Sequence, residues 1–359
     1  MKNCIILVPR LIPSGPIKGA VALANGLSDL GVCVTLIALR SGPGANSKID
    51  AKINVVDLGF SSNFLILSMI KSVNRIISQL QINETKKLPL ISMCFSADIV
   101  NFFAHGPILR ISSVRGDLAF THFMDNKYSG PLLSNLHHFI LKSFDLIFVM
   151  SKEMMNTFIK KKYQKVSLVP NFLNERDLIE HRKQSITKAN HDLIFVGNLF
   201  EFKKPNLVIE AVASLNKKGY SMNLKVIGNG PIFKNLSALV THLDDKRIEL
   251  VGFCNNPMLY MKTSDILVHP SLSEGTPRSV MEALFLGVPC VLRNLDTNDS
   301  LVIDGINGVL FDKDHELESA IIKAIELSSN LNDSKSLLGA SFSQVQCCKK
   351  ILDEIQSLC

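Results

Sequence analysis

The sequence predicts an α/β protein of two halves, each a parallel sheet wrapped by helices. Short apolar runs of strand length alternate with longer amphipathic stretches, which is the α/β pattern. The order strand, glycine-containing loop, helix, strand occurs early in the chain and again after residue 190. The 359 residues suffice for two domains of roughly 150 residues each.

Taken in order, Cys4–Val8 reads as a buried strand; it stops at Pro9-Arg10, too short for the apolar core of a secretion signal. Gly15–Leu30 reads as a helix closed by Gly31, and Val32–Leu39 as the next strand. Phe64–Leu80 is amphipathic, with Phe64, Ile66, Leu67, Ile70, Ile76, Ile77 and Leu80 beside Lys71 and Arg75. Val166–Val169 is a strand ended by Pro170-Asn171, and a polar stretch, Asn174–His191, follows. The second series runs Leu193–Val196 (strand), Asn206–Lys217 (helix, ending near Gly219), Asn223–Ile227, Ile248–Val251 and Ile266–Val268 (strands). A helix over Ser279–Leu286, followed by Gly287, and the strand Pro289–Leu292 complete it. Ser341–Leu358 is amphipathic, with Val345, Ile351 and Ile355 at helical spacing. We expect Rossmann-like domains at 1–170 and 171–338, with 339–359 a helix that packs back toward the first. Open parallel sheets bind ligands beyond the carboxyl ends of their strands, so two such domains facing one another make a cleft.

Composition narrows the class. Apolar residues are 47% and charged residues 20%, which excludes disorder. No apolar run approaches the ~18 residues of a spanning helix. The eight cysteines form no C-x-x-C pair and suit a core kept in a reducing compartment, hence a cytoplasmic protein without a metal site. His269 reads as a structural residue at a strand end. Residues 1–170 hold 19 Lys+Arg against 9 Asp+Glu, a net of +10; the remainder holds 20 against 23, a net of −3. The basic half suits an anionic partner, a membrane surface or a phosphorylated acceptor; equally, it could be a solvated surface with no partner. Nucleic acid is not predicted, because no aromatic-plus-basic module is present.

Four loops are candidates for chemistry. The first is Ser271–Ala283, which follows a strand and opens a helix. Gly275 lets backbone approach a ligand, Pro277 suits a helix start, and the helix N–H groups suit phosphate oxygens. Glu274 and Glu282 could each accept a pair of sugar hydroxyls; equally, they could merely complement the helix dipole. The second is Val196–Pro205, where Lys203 and Lys204 suit a diphosphate leaving group, which departs poorly without cations or N–H donors; taken alone, the pair reads more simply as solvated surface lysines. The third, Val226–Pro231, ends a strand in Gly228-Asn229-Gly230-Pro231. The fourth, Leu11–Gly19, carries Gly15 and Lys18 but neither a dinucleotide fingerprint nor a phosphate-loop ending.

These pieces in this order resemble glycosyltransferase family 4, of the GT-B fold. Val226–Pro231 is similar to the family's V-x-G-x-G-P, Asp265–Ser271 to its D-x-x-V-x-P-S, and Glu274 through Glu282 to its E-x7-E, followed by Ala283, Gly287 and Pro289. Asp304-Gly305-Ile306-Asn307-Gly308 is similar to its D-G-x-N-G, and Pro170-Asn171 to its P-N. The resemblance covers roughly residues 165–315 specifically. It implies that Glu274 contacts the transferred sugar, Glu282 the ribose hydroxyls and Lys203 the phosphates, with Gly228–Pro231 near the base. We expect further donor contacts at Asn198, Lys204, Gly275, Thr276, Pro277 and Arg278, and at Gly15 and Lys18, whose loop could approach the donor phosphate or the acceptor from across the cleft. The resemblance further implies transfer with retention and without metal or cofactor, the donor phosphate taking the acceptor proton.

Two positions depart from the family. Asn198 stands where the family has arginine, and Lys204 or Arg278 is expected to supply that cation. Arg115, in Ser112–Asp117, stands where the family has a histidine near the reacting sugar. Arg115-Gly116 resembles bacterial O-antigen, capsule and lipopolysaccharide transferases, in which reading Arg115 meets a donor or acceptor phosphate. The implied donor is a UDP-sugar. The implied acceptor is an undecaprenyl-diphosphate-linked lipid or an oligosaccharide, reached at the inner membrane face. Phe64–Leu80 and the basic run Phe158–Tyr163 suit that surface, although the first also suits a core-facing helix. The alternatives are a non-catalytic nucleotide-sugar-binding homologue and a nucleotide-sugar 2-epimerase, which would need an acid/base cluster.

Overall fold

A computed structural model describes the chain except residues 1, 13, 45–47, 63–64, 82–85, 116–117, 119–129, 184–191, 275, 296–300, 332–334 and 359. The chain divides into two compact units, Met1–Glu175 with Ala340–Cys359, and Arg176–Gly339.

The first unit runs β1 (Asn3–Arg10), α1 (Gly15–Asp29), β2 (Cys33–Arg40), β3 (Asn54–Phe60), α2 (Ile66–Leu80), β4 (Leu88–Ser92) and α3 (Phe95–Phe103). It continues through β5 (Ile108–Ser113), α4 (Gly130–Leu141), β6 (Leu146–Val149), α5 (Lys152–Lys160) and β7 (Val166–Leu168). The strands form one parallel sheet in the order β3-β2-β1-β4-β5-β6-β7, which reverses direction between β1 and β4. Both faces are covered, which is why β1 is apolar at every central position. Cys4, Ile6 and Val8 enter the core shared with α1, whereas Ile5 and Leu7 enter the core shared with α2 and α3.

This packing decides between the two readings of α2 and corrects one expectation about the last helix. The apolar face of α2 is spent on the sheet: Met69, Ile70, Val73 and Ile77 are buried there, so α2 does not offer that face to a membrane. Phe64 lies outside the described residues. In the C-terminal helix α12 (Gln344–Gln356; α6 to α11 lie in the second unit), the buried face is Cys347, Cys348, Ile351 and Ile355, while Val345 points outward. A Cβ at Gly26 of α1 would lie 2.4 Å from Cys348 Sγ, so a bare glycine lets the two helices meet. The cysteines divide likewise. Cys4, Cys290, Cys347 and Cys348 are buried, but Cys33 is exposed.

The second unit runs α6 (Glu175–Lys183, whose first residue belongs to the first unit), β8 (Asp192–Val196), a 3-10 turn Glu201–Lys203, α7 (Pro205–Lys217), β9 (Asn223–Ile227) and α8 (Phe233–Leu243). Then come β10 (Ile248–Gly252), α9 (Met258–Thr263), β11 (Ile266–His269), α10 (Arg278–Phe285), β12 (Cys290–Arg293), β13 (Gly308–Phe311) and α11 (Leu317–Ser329). Its parallel sheet has the order β10-β9-β8-β11-β12-β13 and reverses between β8 and β11. Among the described residues no helix is long and apolar enough to cross a membrane.

Candidate active site

In a doubly wound sheet, the loops leaving the two strands at the reversal diverge to opposite faces and leave a crevice between them. In the second unit those loops are the ones after β8 and β11, and they carry Lys203 and Glu274. Backbone bonds draw them together: Leu272 N donates to Phe202 O at 2.8 Å, and Ser271 Oγ donates to Phe202 O at 3.4 Å. Lys203 Nζ consequently forms an ion pair with Glu274 Oε1. His269, the last residue of β11 and 1% exposed, bonds the same oxygen through Nε2 at 2.8 Å. Its ring stacks on Phe195 with centroids 5.9 Å apart, which fixes the imidazole plane.

These neighbours decide the charge of Glu274. Burial alone would raise its pKa, but the hydrogen bond and charge of His269 and those of Lys203 outweigh burial and hold it down at about 2. Glu274 is thus a fixed carboxylate, suited to accepting hydrogen bonds from hydroxyls. His269 is the neighbour of Glu274 that sequence reasoning missed. The available signal was its place at the carboxyl end of a strand, five residues before Glu274.

One turn into α10, Glu282 is 5% exposed and accepts from Arg278 Nε at 3.0 Å. Arg278 opens the helix, with Pro277 as the residue before it, and its Nη1 is buried with no hydrogen-bond partner. The first turn of α10 has no side-chain cap and no acidic residue, leaving its N–H groups available to an anion. Thr276 lies half-buried between Glu274 and Pro277, and Gly275 lies outside the described residues. Of the two cations expected to replace the arginine missing at Asn198, Lys204 has its Nζ 4.0 Å from Asp314, while Arg278 sits beside Glu282. Asn198 itself is exposed. Lys204 adopts φ 53°, a left-handed turn that ends the 3-10 segment and starts α7.

The glycines after β9 are required by the chain's own packing. A Cβ at Gly228, where φ is +149°, would lie 1.8 Å from Gly197 O, and one at Gly230 would lie 2.4 Å from Leu199 O. The chain's own backbone fills that space, joined by Leu199 N donating to Asn229 O at 2.9 Å. Pro231 follows on the surface. The pair therefore fixes the loop after β8, and with it the run toward Lys203.

In the first unit, Arg115 follows β5. Its Nη1 donates to Asn171 Oδ1 at 3.1 Å, and its guanidinium closes over Gly19 of α1, where a Cβ would come within 3.2 Å of Cζ. Asn171 is thus the positioning partner that sequence reasoning had not paired with Arg115. Gly15 is exposed at the start of α1, with open space around it, and Lys18 lies one turn on, half-buried. Gly116 lies outside the described residues. Among the described residues no group of three His, Cys, Asp or Glu could hold a metal ion.

Residues 177–336 match the family model described as glycosyl transferases group 1. A Haemophilus influenzae protein named as an uncharacterized glycosyltransferase is 25% identical over 322 residues, spanning 88% of this chain and 87% of its own. An Escherichia coli UDP-Gal:alpha-D-GlcNAc-diphosphoundecaprenol alpha-1,3-galactosyltransferase is 28% identical over 161 residues, 41% of each chain. Among solved structures, Anabaena Alr3699/HepE in complex with UDP and glucose superposes with a TM-score of 0.75 at 16% identity, covering 99% of this chain and 100% of that one. Two parallel Rossmann-like sheets of this kind are the GT-B fold. The domain that carries Lys203, Glu274 and Glu282 thus matches the group 1 glycosyl transferases, and the relatives named above are glycosyltransferases.

Proposed function

We propose that the chain is a retaining transferase that moves a sugar from a UDP-sugar to a lipid-linked or oligosaccharide acceptor of bacterial surface polysaccharide. The observation that carries this reading is the Glu274 carboxylate, held ionised by Lys203 and His269 where the sheet order reverses. A permanently charged acceptor of hydrogen bonds can grip sugar hydroxyls, while Glu282 takes the ribose hydroxyls one helical turn away. Lys203, Arg278 and the N-terminus of α10 meet the diphosphate, whose charge grows as it leaves. The bond between sugar C1 and phosphate oxygen breaks. The acceptor oxygen bonds C1 on the same face, and its proton passes to the departing phosphate oxygen. Neither Glu274 nor Glu282 moves a proton, and no metal is required; in this reading a chelator leaves turnover unchanged. Arg115 meets a donor or acceptor phosphate. The UDP and glucose bound by the one relative, and the lipid-linked substrate named for the other, support the choice of donor and acceptor.

The reading places the transfer at the cytoplasmic membrane face. Its support is a surface where α4 exposes Leu132, Leu136 and Phe139 at 74%, 45% and 68%, and α5 exposes Ile159 at 56%. Lys161 Nζ, 2.7 Å from His138 Nε2, ties the end of α5 to α4; Lys160 is exposed on α5 and Lys142 just beyond the end of α4. Apolar side chains ringed by lysines match an anionic leaflet.

Binding and slow hydrolysis of a panel of UDP-, GDP-, dTDP- and ADP-sugars test the proposal. One UDP-sugar should bind and hydrolyse, and Glu282→Ala should lose both. A chain that binds none of the panel contradicts the reading; one that binds without ever turning over is a non-catalytic homologue.

A further inference from the structure

The carboxyl edge of the first unit's sheet carries a feature that the donor site does not use. Arg10 ends β1 and Arg40 ends β2, and the two are register partners on adjacent parallel strands. Alternation puts both on the α1 side of the sheet, the face that takes Cys4, Ile6 and Val8 from β1 and Val34, Leu36 and Ala38 from β2. Two guanidinium groups therefore sit side by side. Neither has an ion pair with a described residue. Arg10 Nε is in addition sealed from solvent without an acceptor.

Each of these facts is unfavourable to the folded protein on its own. Like charges directly opposite one another in a sheet destabilise it. A buried donor left unsatisfied destabilises the fold. Burial, and then the charge of Arg10, lower the pKa of Arg40, the direction expected for cations crowded together. The surroundings hold the arrangement instead of relaxing it. Gly44 N donates to Leu11 O at 3.0 Å, and a Cβ on Gly42 would lie 2.4 Å from that same oxygen, so the loops leaving the two strands are locked together. Five residues beyond Arg10, α1 begins with no acidic residue in its first turn and no side-chain cap, adding a positive helix end at this edge.

We propose that Arg10 and Arg40 form a binding site for a phosphate or diphosphate group. Paired guanidinium forks take oxyanions in bidentate fashion. Two of them balance a phosphate dianion or a diphosphate, where a single carboxylate would leave one charge unmatched. The assignment of that phosphate to the acceptor rests on the transferase reading; the site itself does not.

The test is titration of inorganic pyrophosphate into the full chain carrying Lys203→Ala and Arg278→Ala, which removes both side-chain cations that meet the donor diphosphate. That chain should bind pyrophosphate. Adding Arg10→Gln or Arg40→Gln should weaken binding about tenfold or more, the loss of a charged hydrogen-bonding partner. Arg10→Lys, which keeps charge but loses the fork, should fall between. Melting temperatures equal to or above the parent's, as expected when like charges are separated, exclude misfolding as the cause. Competition by phosphatidylglycerol vesicles, but not by phosphatidylcholine vesicles, assigns the phosphate to a lipid headgroup; no competition by either assigns it to a soluble phosphate. Equal pyrophosphate binding by the Gln variants and their parent, or no binding by the parent, overturns the site. Donor binding is scored separately on the wild-type chain, so failure of the transferase reading is distinguishable from failure here.

Discussion

Lys203 and Glu274 are 71 residues apart in sequence and share an ion pair where the strand order of the second sheet reverses. Each reaches the pair from a loop at a strand's carboxyl end, and the backbone bond from Leu272 to Phe202 holds the loops in contact. The pair also shares its carboxylate oxygen with His269. A substitution at any of the three therefore alters the charge seen by the other two.

In the proposed reaction, Lys203 meets charge that develops as the diphosphate leaves, so its removal should act mainly on kcat. Lys203→Ala should lower kcat by about 100-fold or more, the usual effect of deleting one preorganised donor. Glu274→Gln should lower kcat comparably while retaining the fold, because the amide fills the same volume. Steady-state kinetics with the identified donor checks both; a variant with wild-type kcat removes its residue from the mechanism.

Glu274 also makes stability depend on pH, and the sign is determined. Its pKa is depressed from 4.5 to about 2 in the folded chain. The stabilisation is fully present above the unfolded value and is lost as pH falls toward the folded one. Between about pH 5 and pH 2 it amounts to on the order of 3 kcal/mol. Urea unfolding across that range should show a steeper loss for wild type than for Glu274→Gln, whose side chain does not titrate. Parallel losses would mean that the ion pair does not hold the carboxylate down.

The two sheets, and most strands within a residue or two, were legible because parallel strands buried on both faces read as unbroken apolar runs. The site was legible where chemistry needs particular residue types in one loop, as at Glu274 and Glu282. What was illegible depended on distant contacts. The role of His269 requires knowing that β11 lies beside β8. Asn171 becomes a partner of Arg115 only once β5 and the segment after β7 converge. Val345 fits the helical period of the last segment, yet the face that packs is set by Gly26 on α1, more than 300 residues away in sequence. The pairing of Arg10 with Arg40 is a matter of strand register, which periodicity within one strand does not contain.

Gly228 should tolerate no side chain. A methyl group there would meet Gly197 O at 1.8 Å, and the φ of +149° is open to glycine and hostile to other residues. Gly228→Ala should therefore cost about 3 kcal/mol or more in unfolding free energy, from strain and overpacking together. Because the displaced backbone leads to Lys203, UDP binding should weaken in the fraction that remains folded. Chemical denaturation together with UDP titration measures both; a variant with unchanged stability would show that the two loops do not touch.

Gly19 separates a structural role from a functional one for Arg115. It lies inside α1, where alanine is favoured over glycine by about 0.5–1 kcal/mol. The added Cβ would press on the Arg115 guanidinium at 3.2 Å from Cζ, displacing a side-chain tip and not backbone. Gly19→Ala should hold or raise the melting temperature while shifting Arg115 by a few tenths of an ångström. If Arg115 meets a phosphate in the reaction, kcat should fall despite equal or greater stability, and Asn171→Ala, which removes the bond to Nη1, should lower it as well. Unchanged turnover in both variants would leave Arg115 a packing residue. A loss of stability in Gly19→Ala would instead mean that the guanidinium is locked in place and that α1 was displaced.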